Sequence, residues 1–111
     1  MNATILHLHL AKEFSATPGA RYISEGEFSG QEFRERILLP KFLEATVSSA
    51  ILYVDLDGAE GYSTSFLEEA FGGLTREIGS SAEVLKRLEL NCQDEPYLVD
   101  EIKAYIKKAI R

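Results

Sequence analysis

The chain has 111 residues, with 18 acidic and 12 basic side chains that give a net charge of -6. This length suits one hydrophobic core, so we predict a single domain over residues 1–111. The acidic balance argues against binding to the phosphate backbone of nucleic acids. No apolar run approaches the ~20 residues that span a membrane, and no basic region precedes the apolar N-terminal stretch as in a signal peptide. A lone cysteine, Cys92, fits a reducing compartment, so we expect a cytoplasmic protein.

The first part of the chain alternates between strand and turn patterns. Residues 4–10 alternate leucines with Ile5, His7 and His9, which predicts a strand. His7 and His9 would share one face of it, but no third ligand lies at a suitable spacing. We therefore expect two half-exposed histidines and no metal site. The turn-rich region 17–30 contains a candidate short second strand at residues 21–23.

A helix is predicted to start after Ser29, because Ser29 and Glu32 have the spacing of a capping box. The apolar positions of this helix change phase after Pro40, from Phe33, Ile37 and Leu38 to Phe42, Leu43 and Val47. Proline inside a helix removes one backbone hydrogen bond and kinks the helix. We predict one bent helix over residues 30–47, or two short ones.

The centre of the sequence is a strand that leads into a helix. Residues 51–56 form a short apolar run that ends in acids, which is typical of a strand buried on both faces. A polar turn over 57–63 follows. Residues 64–78 then place their apolar side chains within ~140° of a helical wheel, namely Phe66, Leu67, Ala70, Phe71, Leu74 and Ile78. We place the function of the protein at this junction.

The last third predicts one more strand and one more helix. Residues 84–90 alternate in the manner of a strand, and a helical turn at Ser81 could open it. Asp94 is predicted to cap the final helix, with Pro96 in its first turn. Strands that alternate with helices in this order predict an α/β layer fold with a mainly parallel sheet.

The run VDLDGAEGYSTSFLEEAFGGL resembles the signature of STAS domains (sulphate transporter and anti-sigma factor antagonist). There, an acid-containing strand, a short turn and a pair of hydroxyl residues lead into a helix. Together with PGARY and EGEFSGQEFRERILLP, the run is more closely similar to a bacterial STAS-like domain family of unknown function, over roughly residues 15–80. The resemblance implies an α/β fold with helices packed on a mainly parallel or mixed sheet of four to five strands.

In the anti-sigma factor antagonists, the hydroxyl residue just inside this helix is phosphorylated by a kinase that is also the binding partner, and phosphorylation breaks the complex. Thr64 occupies that place here, with Ser63 before it and Ser65 after it. The resemblance implies a non-enzymatic interaction module in a partner-switching signalling system, without a cofactor, whose partner is a histidine-kinase-like ATPase. Two positions depart from the parent pattern: Ser63 replaces an Asp, and Phe66 replaces a Gly.

Two features of the predicted helix allow alternative interpretations. The three hydroxyls suit helix capping as well as phosphorylation, with Ser65 and Glu68 at capping-box spacing. Glycine inside a helix costs ~1 kcal/mol relative to alanine, so Gly72 and Gly73 indicate the close approach of either another element of this chain or a partner. We predict a partner-binding surface that consists of Asp57, Glu68, Glu69, Gly72, Gly73 and Arg76.

The alternative function is an enzyme. ILYVDLDG resembles the opening of haloacid-dehalogenase-type phosphatases, which would make Asp55 the nucleophile and Asp57 the acid/base. That family also uses a Thr or Val soon after the Gly, a later Lys and a further acidic pair for Mg²⁺ in a longer chain. An isolated Asp-x-Asp after a strand is also typical of solvated acids at a strand end.

Overall fold

Three parallel strands form the centre of the fold, in the order β1-β2-β3. A computed structural model describes residues 4–110 of the chain. The strands are β1 (Ile5–His9), β2 (Ile51–Asp55) and β3 (Leu88–Asn91). The β2 strand has a hydrogen-bonded neighbour on each side, as expected for the strand around which the sequence is organised.

Within residues 4–110, five helices accompany the sheet: α1 (Leu10–Glu13), α2 (30–47), α3 (64–78), α4 (Ser81–Arg87) and α5 (Tyr97–Lys108). Both long helices contain a wider, π-helical turn, Arg34–Leu38 in α2 and Glu68–Gly72 in α3. A 3-10 turn covers Ile23–Glu25. No helix among the described residues is long and apolar enough to cross a membrane.

The predicted α/β architecture is confirmed, but the prediction of four to five strands is wrong. Residues 21–23 do not form a strand. They lead into the 3-10 turn, where the amide of Tyr22 donates a hydrogen bond to the Glu25 carboxylate at 2.9 Å. The strand predicted over 84–90 is confirmed only from Leu88 onward, since residues 84–87 belong to α4, which Ser80 caps by accepting a hydrogen bond from the Glu83 amide at 3.1 Å. The spacing of Val84 and Leu88 suits a helix as well as a strand, and the cap decides between them.

Pro40 lies inside one continuous helix and does not split it in two. The π-helical turn ends just before Pro40, and the amide of Leu39 bonds the Arg34 carbonyl five residues back. A proline ring would clash with the carbonyl four residues earlier and has no N–H to donate. The wider turn therefore accommodates Pro40 without ending the helix.

The same turn explains the phase shift in the apolar pattern of α2. A π-helical turn adds one residue, so the buried positions step by five from Phe33 to Leu38 and by four to Phe42. Of the three apolar residues predicted to share one side of the helix after Pro40, only Phe42 is buried, so the prediction is wrong for Leu43 and Val47. Leu43 is 48% exposed and Val47 is 88% exposed.

The core occupies one face of the sheet. Leu8, Leu52 and Val54 point into it and are at most 1% exposed, and they meet the aromatic side chains of α2 and α3. The opposite face carries partly or fully exposed side chains, including His7 and Tyr53, whose rings are 5.4 Å apart. The prediction that the central strand is buried on both faces is therefore wrong, whereas the half-exposed histidines are confirmed.

The predicted helix at 64–78 is confirmed, and it is the most deeply buried helix segment of the fold. Phe66, Phe71 and Leu74 are 0% exposed in the core. Besides the sheet, α3 contacts α2 on one side and α5 on the other through its π-helical turn. Every residue from 69 to 75 is consequently buried, polar ones included.

Candidate functional site

Ser63 caps the start of α3. Its Oγ accepts a hydrogen bond from the Phe66 amide at 3.1 Å and donates one to the Gly19 carbonyl at 3.3 Å. The capping interpretation is thus confirmed for Ser63. It is wrong for Ser65, because Glu68 turns away from the helix start and binds arginines instead.

Thr64 and Ser65 follow the cap as the first two residues of α3. Thr64 is exposed and Ser65 is partly buried. Within residues 4–110, no hydrogen bond engages either hydroxyl, whereas both flanking capping contacts belong to Ser63. Capping therefore accounts for one of the three hydroxyls, and the Thr64 hydroxyl has no hydrogen-bond partner among the described residues.

Three arginines and two glutamates form an ion-pair lattice along α3, consisting of Arg21, Arg34, Arg76, Glu68 and Glu69. Glu68 receives Arg21 at 2.5 Å and Arg76 at 2.8 Å. The hydrogen bond from Arg76 lowers the pKa of the Glu68 carboxyl, and that from Arg21 adds to this, while partial burial opposes both. Arg21 also reaches Glu69 at 3.3 Å, so it ties the preceding loop to α3.

Arg34 forms the buried end of the lattice. Its Nη1 donates to Glu69 Oε2 at 2.5 Å and to the Glu69 backbone carbonyl at 2.8 Å. In the π-helical turn, the amide of Gly73 donates to the carbonyls of Ala70 and Glu68 and not to the carbonyl of Glu69. Arg34 thus supplies the hydrogen bond that the wider turn removes from this carbonyl.

The two helix glycines make room for the lattice. A Cβ at Gly73 would lie 2.5 Å from Arg34 Nη1, and a Cβ at Gly72 would overlap the Glu68 carboxylate. Both glycines are buried, so the close approach they indicate is made by this chain's own side chains. Glu69, Gly72 and Gly73 are therefore too buried to contact a partner. Of the predicted partner-binding residues on α3, Glu68 is partly exposed and Arg76 is exposed.

The turn-rich region predicted at 17–30 forms a loop that borders the start of α3, and no signal in the sequence marked its exposed apolar side chains. Residues 19–28 are closed at the base by a hydrogen bond from the Gly19 amide to the Phe28 carbonyl at 2.8 Å. Three large apolar side chains of this loop are 36–50% exposed: Tyr22, Ile23 and Phe28. The contact between Ser63 and Gly19 places the loop directly against the α3 cap.

The second acidic group lies at the carboxyl ends of the strands, and we call it the strand-end cluster: His9, Asp55, Asp57, Asn91 and Asp94. Asp55 Oδ1 accepts hydrogen bonds from the Asp57 amide at 3.0 Å and Asn91 Nδ2 at 3.3 Å. Its Oδ2 lies 3.4 Å from His9 Nε2. Both oxygens of the candidate nucleophile are thus held by neighbours.

Asp57 and Asp94 complete this cluster. Asp57 Oδ1 accepts from the Asp94 amide at 2.8 Å, and Asp94 Oδ2 accepts from the Gly58 amide at 3.1 Å. The prediction that Asp94 caps the last helix is therefore wrong, since α5 starts after Pro96 and has no side-chain cap. Among residues 4–110, no group of three or more His, Cys, Asp and Glu side chains is arranged to hold a metal ion.

Comparison with known families gives one match to the chain. A family model described as a STAS-like domain of unknown function matches residues 29–97, more than half of the sequence. The match covers α2, β2, α3, α4 and β3, and thus the carboxylates of both acidic groups but not Arg21 or His9. No curated protein and no solved structure matches the chain.

Proposed function

The chain belongs to the family of STAS-like domains of unknown function, and on this premise we propose that it is a non-enzymatic protein-interaction module whose partner docks at the start of α3. The docking surface consists of Thr64, Ser65 and Glu68 on α3 and of Tyr22 and Ile23 on the adjoining loop. Phosphorylation of Thr64 regulates the docking.

The observation that carries this proposal is that the hydroxyls at the start of α3 differ in their hydrogen bonds and exposure. Ser63 holds the cap, while Thr64 is exposed at the first helical position with no hydrogen bond to another described residue. A kinase can reach such a side chain without unfolding the helix. A phosphate there would gain from the free amides of the first helical turn.

The same geometry supports a mechanism for the regulation. Thr64 lies one helical turn before Glu68, which binds Arg21 at 2.5 Å. A phosphate on Thr64 competes with Glu68 for this guanidinium, because phosphate carries more charge and more acceptor oxygens than a carboxylate. Movement of Arg21 from Glu68 toward the phosphate shifts the 19–28 loop and its exposed apolar side chains relative to α3.

The charges around the surface indicate the chemistry of the partner. Glu25 and Glu27 lie exposed beside Tyr22 and Ile23 on the loop. A complementary partner therefore offers an apolar pocket rimmed by lysine or arginine. In line with the resemblance to anti-sigma factor antagonists, the proposed partner is a histidine-kinase-like ATPase that also phosphorylates Thr64.

The proposal is tested by recovering a partner from the native cells and measuring its affinity by calorimetry. Thr64→Ala should bind like the unmodified chain. Thr64→Glu should weaken binding about tenfold or more, because the new carboxylate competes with Glu68 for Arg21 and so displaces the loop that carries Tyr22 and Ile23. Equal affinity of the two variants would remove Thr64 from the interface.

Two controls separate binding from stability. Ser80→Ala removes the cap of α4, away from the proposed surface, and should lower the free energy of unfolding by about 1 kcal/mol while leaving the affinity unchanged. Val47→Ser changes an 88% exposed side chain on α2 that is outside the proposed surface. A loss of affinity in Val47→Ser that matches Thr64→Glu would place the interface on α2.

The enzyme alternative has its own test. We expect purified protein with Mg²⁺ to show no turnover of an aryl phosphate, because both oxygens of Asp55 accept or face neighbouring donors. Metal-dependent activity that disappears in Asp55→Asn would overturn the non-enzymatic proposal.

A further inference from the structure

The Glu68 carboxylate is shared by two guanidinium groups that reach it from different elements. Arg21, on the 19–28 loop, donates to Glu68 Oε1 at 2.5 Å. Arg76, on α3, donates to Glu68 Oε2 at 2.8 Å and to Oε1 at 3.3 Å. One carboxylate therefore has two full positive charges beside it, which is one more than its own charge requires.

Gly72 makes room for the pair between Glu68 and Arg76. A Cβ at this position would overlap the Glu68 carboxylate and lie 3.4 Å from Arg76 Nη1. The Glu68 side chain therefore extends over Gly72 toward the carboxyl end of α3, whereas helical side chains ordinarily lean toward the amino end. This orientation takes the carboxylate toward Arg76 and away from Thr64 at the start of the helix.

The two arginines differ in their other contacts. In the described part of the chain, Glu68 is the only carboxylate within ion-pair distance of Arg76. Arg21 also reaches Glu69 at 3.3 Å, but Glu69 has Arg34 at 2.5 Å as well. The hydrogen bond from Arg76 contributes most to the lowered pKa of the Glu68 carboxyl, ahead of the one from Arg21. Arg76 alone can therefore hold Glu68, and Arg21 is the guanidinium that can leave.

We propose that Arg76 permits the phosphorylation switch, because it holds Glu68 when Arg21 moves to a phosphate on Thr64. This inference rests on the proposed function and adds the residue that allows the exchange of partners. In the phosphorylated chain, Arg21 binds the phosphate and Arg76 alone binds Glu68, so the carboxylate keeps a cation in both states. Arg76 is thus a positioning residue that acts through Glu68 and does not touch the phosphate.

The balance of charges gives the reason why Arg76 is required. Without Arg76, capture of Arg21 by the phosphate would leave Glu68, whose side chain is 26% exposed, with no cation beside it. A partly buried carboxylate that loses its cation also loses the compensation for its desolvation. Arg21 would then stay with Glu68, and the phosphate would have no guanidinium.

The experiment uses the chain alone, with phosphothreonine installed at position 64 during its synthesis, and follows the phosphorus NMR signal as a function of pH. The second pKa of a phosphate on a hydroxyl side chain is ~6. The carboxylates of Glu68 and of exposed Glu60 would raise this pKa, whereas a bound guanidinium lowers it. We expect a pKa lower by about 1 in the otherwise unmodified chain, and ~6 or above in Arg21→Ala. A pKa that is not lowered in the otherwise unmodified chain overturns the proposal.

Two variants of Arg76 supply the decisive comparison. Arg76→Ala should return the pKa of the phosphothreonine to ~6 or above, because Glu68 then retains Arg21. Adding Glu68→Gln to Arg76→Ala removes the carboxylate that competes for Arg21, so the pKa should fall again by about 1. A pKa that stays low in Arg76→Ala would show that Arg76 is not needed. A double variant without this second fall would show that Arg76 acts on the phosphate directly.

Arg36→Ala is the matched control, since Arg36 is an exposed arginine that pairs with Glu32 on α2. It should leave the pKa of the phosphothreonine unchanged, and a rise equal to that of Arg76→Ala would mean that only net charge is measured, which contradicts the proposal. The measurement needs no partner and no kinase. Failure of the proposed docking function would appear as equal affinity of Thr64→Ala and Thr64→Glu, whereas failure of this inference would appear in the pKa values.

Discussion

The two acidic groups of this protein are held in opposite ways. In the ion-pair lattice, Glu68 and Glu69 bind three arginines that come from a loop and from two helices. In the strand-end cluster, Asp55 and Asp57 are held by amide donors and one imidazole, with no arginine or lysine of residues 4–110 in contact. For Glu69 the difference follows from burial, whereas the Glu68 side chain is 26% exposed, close to the 28% of Asp55, and pairs with the arginines that lie beside it on the loop and on α3.

A buried carboxylate needs a full charge beside it, because desolvation penalises the charged form. Glu69 is 8% exposed, and Arg34 beside it is equally buried. The aspartates at the strand ends keep contact with solvent, so neutral donors are sufficient to hold them. The comparison teaches that the acids of α3 mainly hold the helices together, whereas the strand-end acids order a turn.

The largest effect is expected for Arg34→Ala. It leaves the Glu69 carboxylate buried with only Arg21 at 3.3 Å and removes the donor to the Glu69 carbonyl. The free energy of unfolding should fall by about 3–5 kcal/mol in urea denaturation. The matched control is Arg36→Ala, since Arg36 is an exposed arginine of the same helix that pairs with Glu32 at the surface. It should cost less than about 1 kcal/mol; equal losses would mean that the lattice contributes no more than a surface pair.

Next in size is Gly30→Ala, at the crossing of α2 and α3. A Cβ there would lie 2.5 Å from the Phe66 carbonyl oxygen and 3.2 Å from Glu69 Cβ, so the helices would have to separate. We expect a loss of about 1–3 kcal/mol. Gly61→Ala is the control, because a Cβ at Gly61 has no neighbour within 4 Å. A melting temperature that falls equally in both variants would contradict the close approach.

A smaller effect is expected at the strand-end cluster. Asp57→Ala removes the acceptor of the Asp94 amide and one acceptor of Asn91, and should cost about 1–2 kcal/mol by denaturation. Asp57→Asn keeps one oxygen and should cost less. A loss as large as that of Arg34→Ala would erase the distinction between the two groups.

The smallest effect is a pH dependence at the exposed end of the lattice. Arg76 and Arg21 lower the folded-state pKa of Glu68, so its ion pairs stabilise the fold above the unfolded-state pKa near ~4.3. This stabilisation is lost as the pH falls through the lower folded-state pKa. Glu68→Gln should therefore melt below the unmodified chain at pH 7, and the gap should narrow below ~4.3 and close once the pH has fallen through the folded-state pKa of Glu68. A gap that is independent of pH would contradict the assigned ion pairs.

Helices and strands could be predicted from the sequence where the element buries one regular face in the core. The leucines of β1 and the apolar spacing of α3 identified the core correctly, because burial follows the period of the element. Ser29 and Ser63 similarly marked helix starts, because each accepts a hydrogen bond from the amide three residues later in the sequence.

The lattice could not be predicted, because its arginines lie far from its glutamates in sequence. Arg34 is 35 positions from Glu69, and Arg21 is 47 positions from Glu68. No local pattern links such residues, so the sequence placed Glu69 in the predicted partner-binding surface. The five-residue step from Phe33 to Leu38 was a usable signal for a π-helical turn. A helical wheel with 3.6 residues per turn shows this step only as a change of phase, which was interpreted as a kink at Pro40.

The central claim, that Thr64 carries a phosphate that controls docking, is tested most directly by mass spectrometry of the chain from its native cells. The chain is separated into partner-bound and free fractions, and trypsin cleavage after Lys41 and Arg76 places Ser63, Thr64 and Ser65 in one peptide, residues 42–76. We predict phosphate on Thr64 in the free fraction and none in the bound fraction. Phosphate on Ser63, equal phosphate in both fractions, or an unmodified peptide throughout would contradict the account.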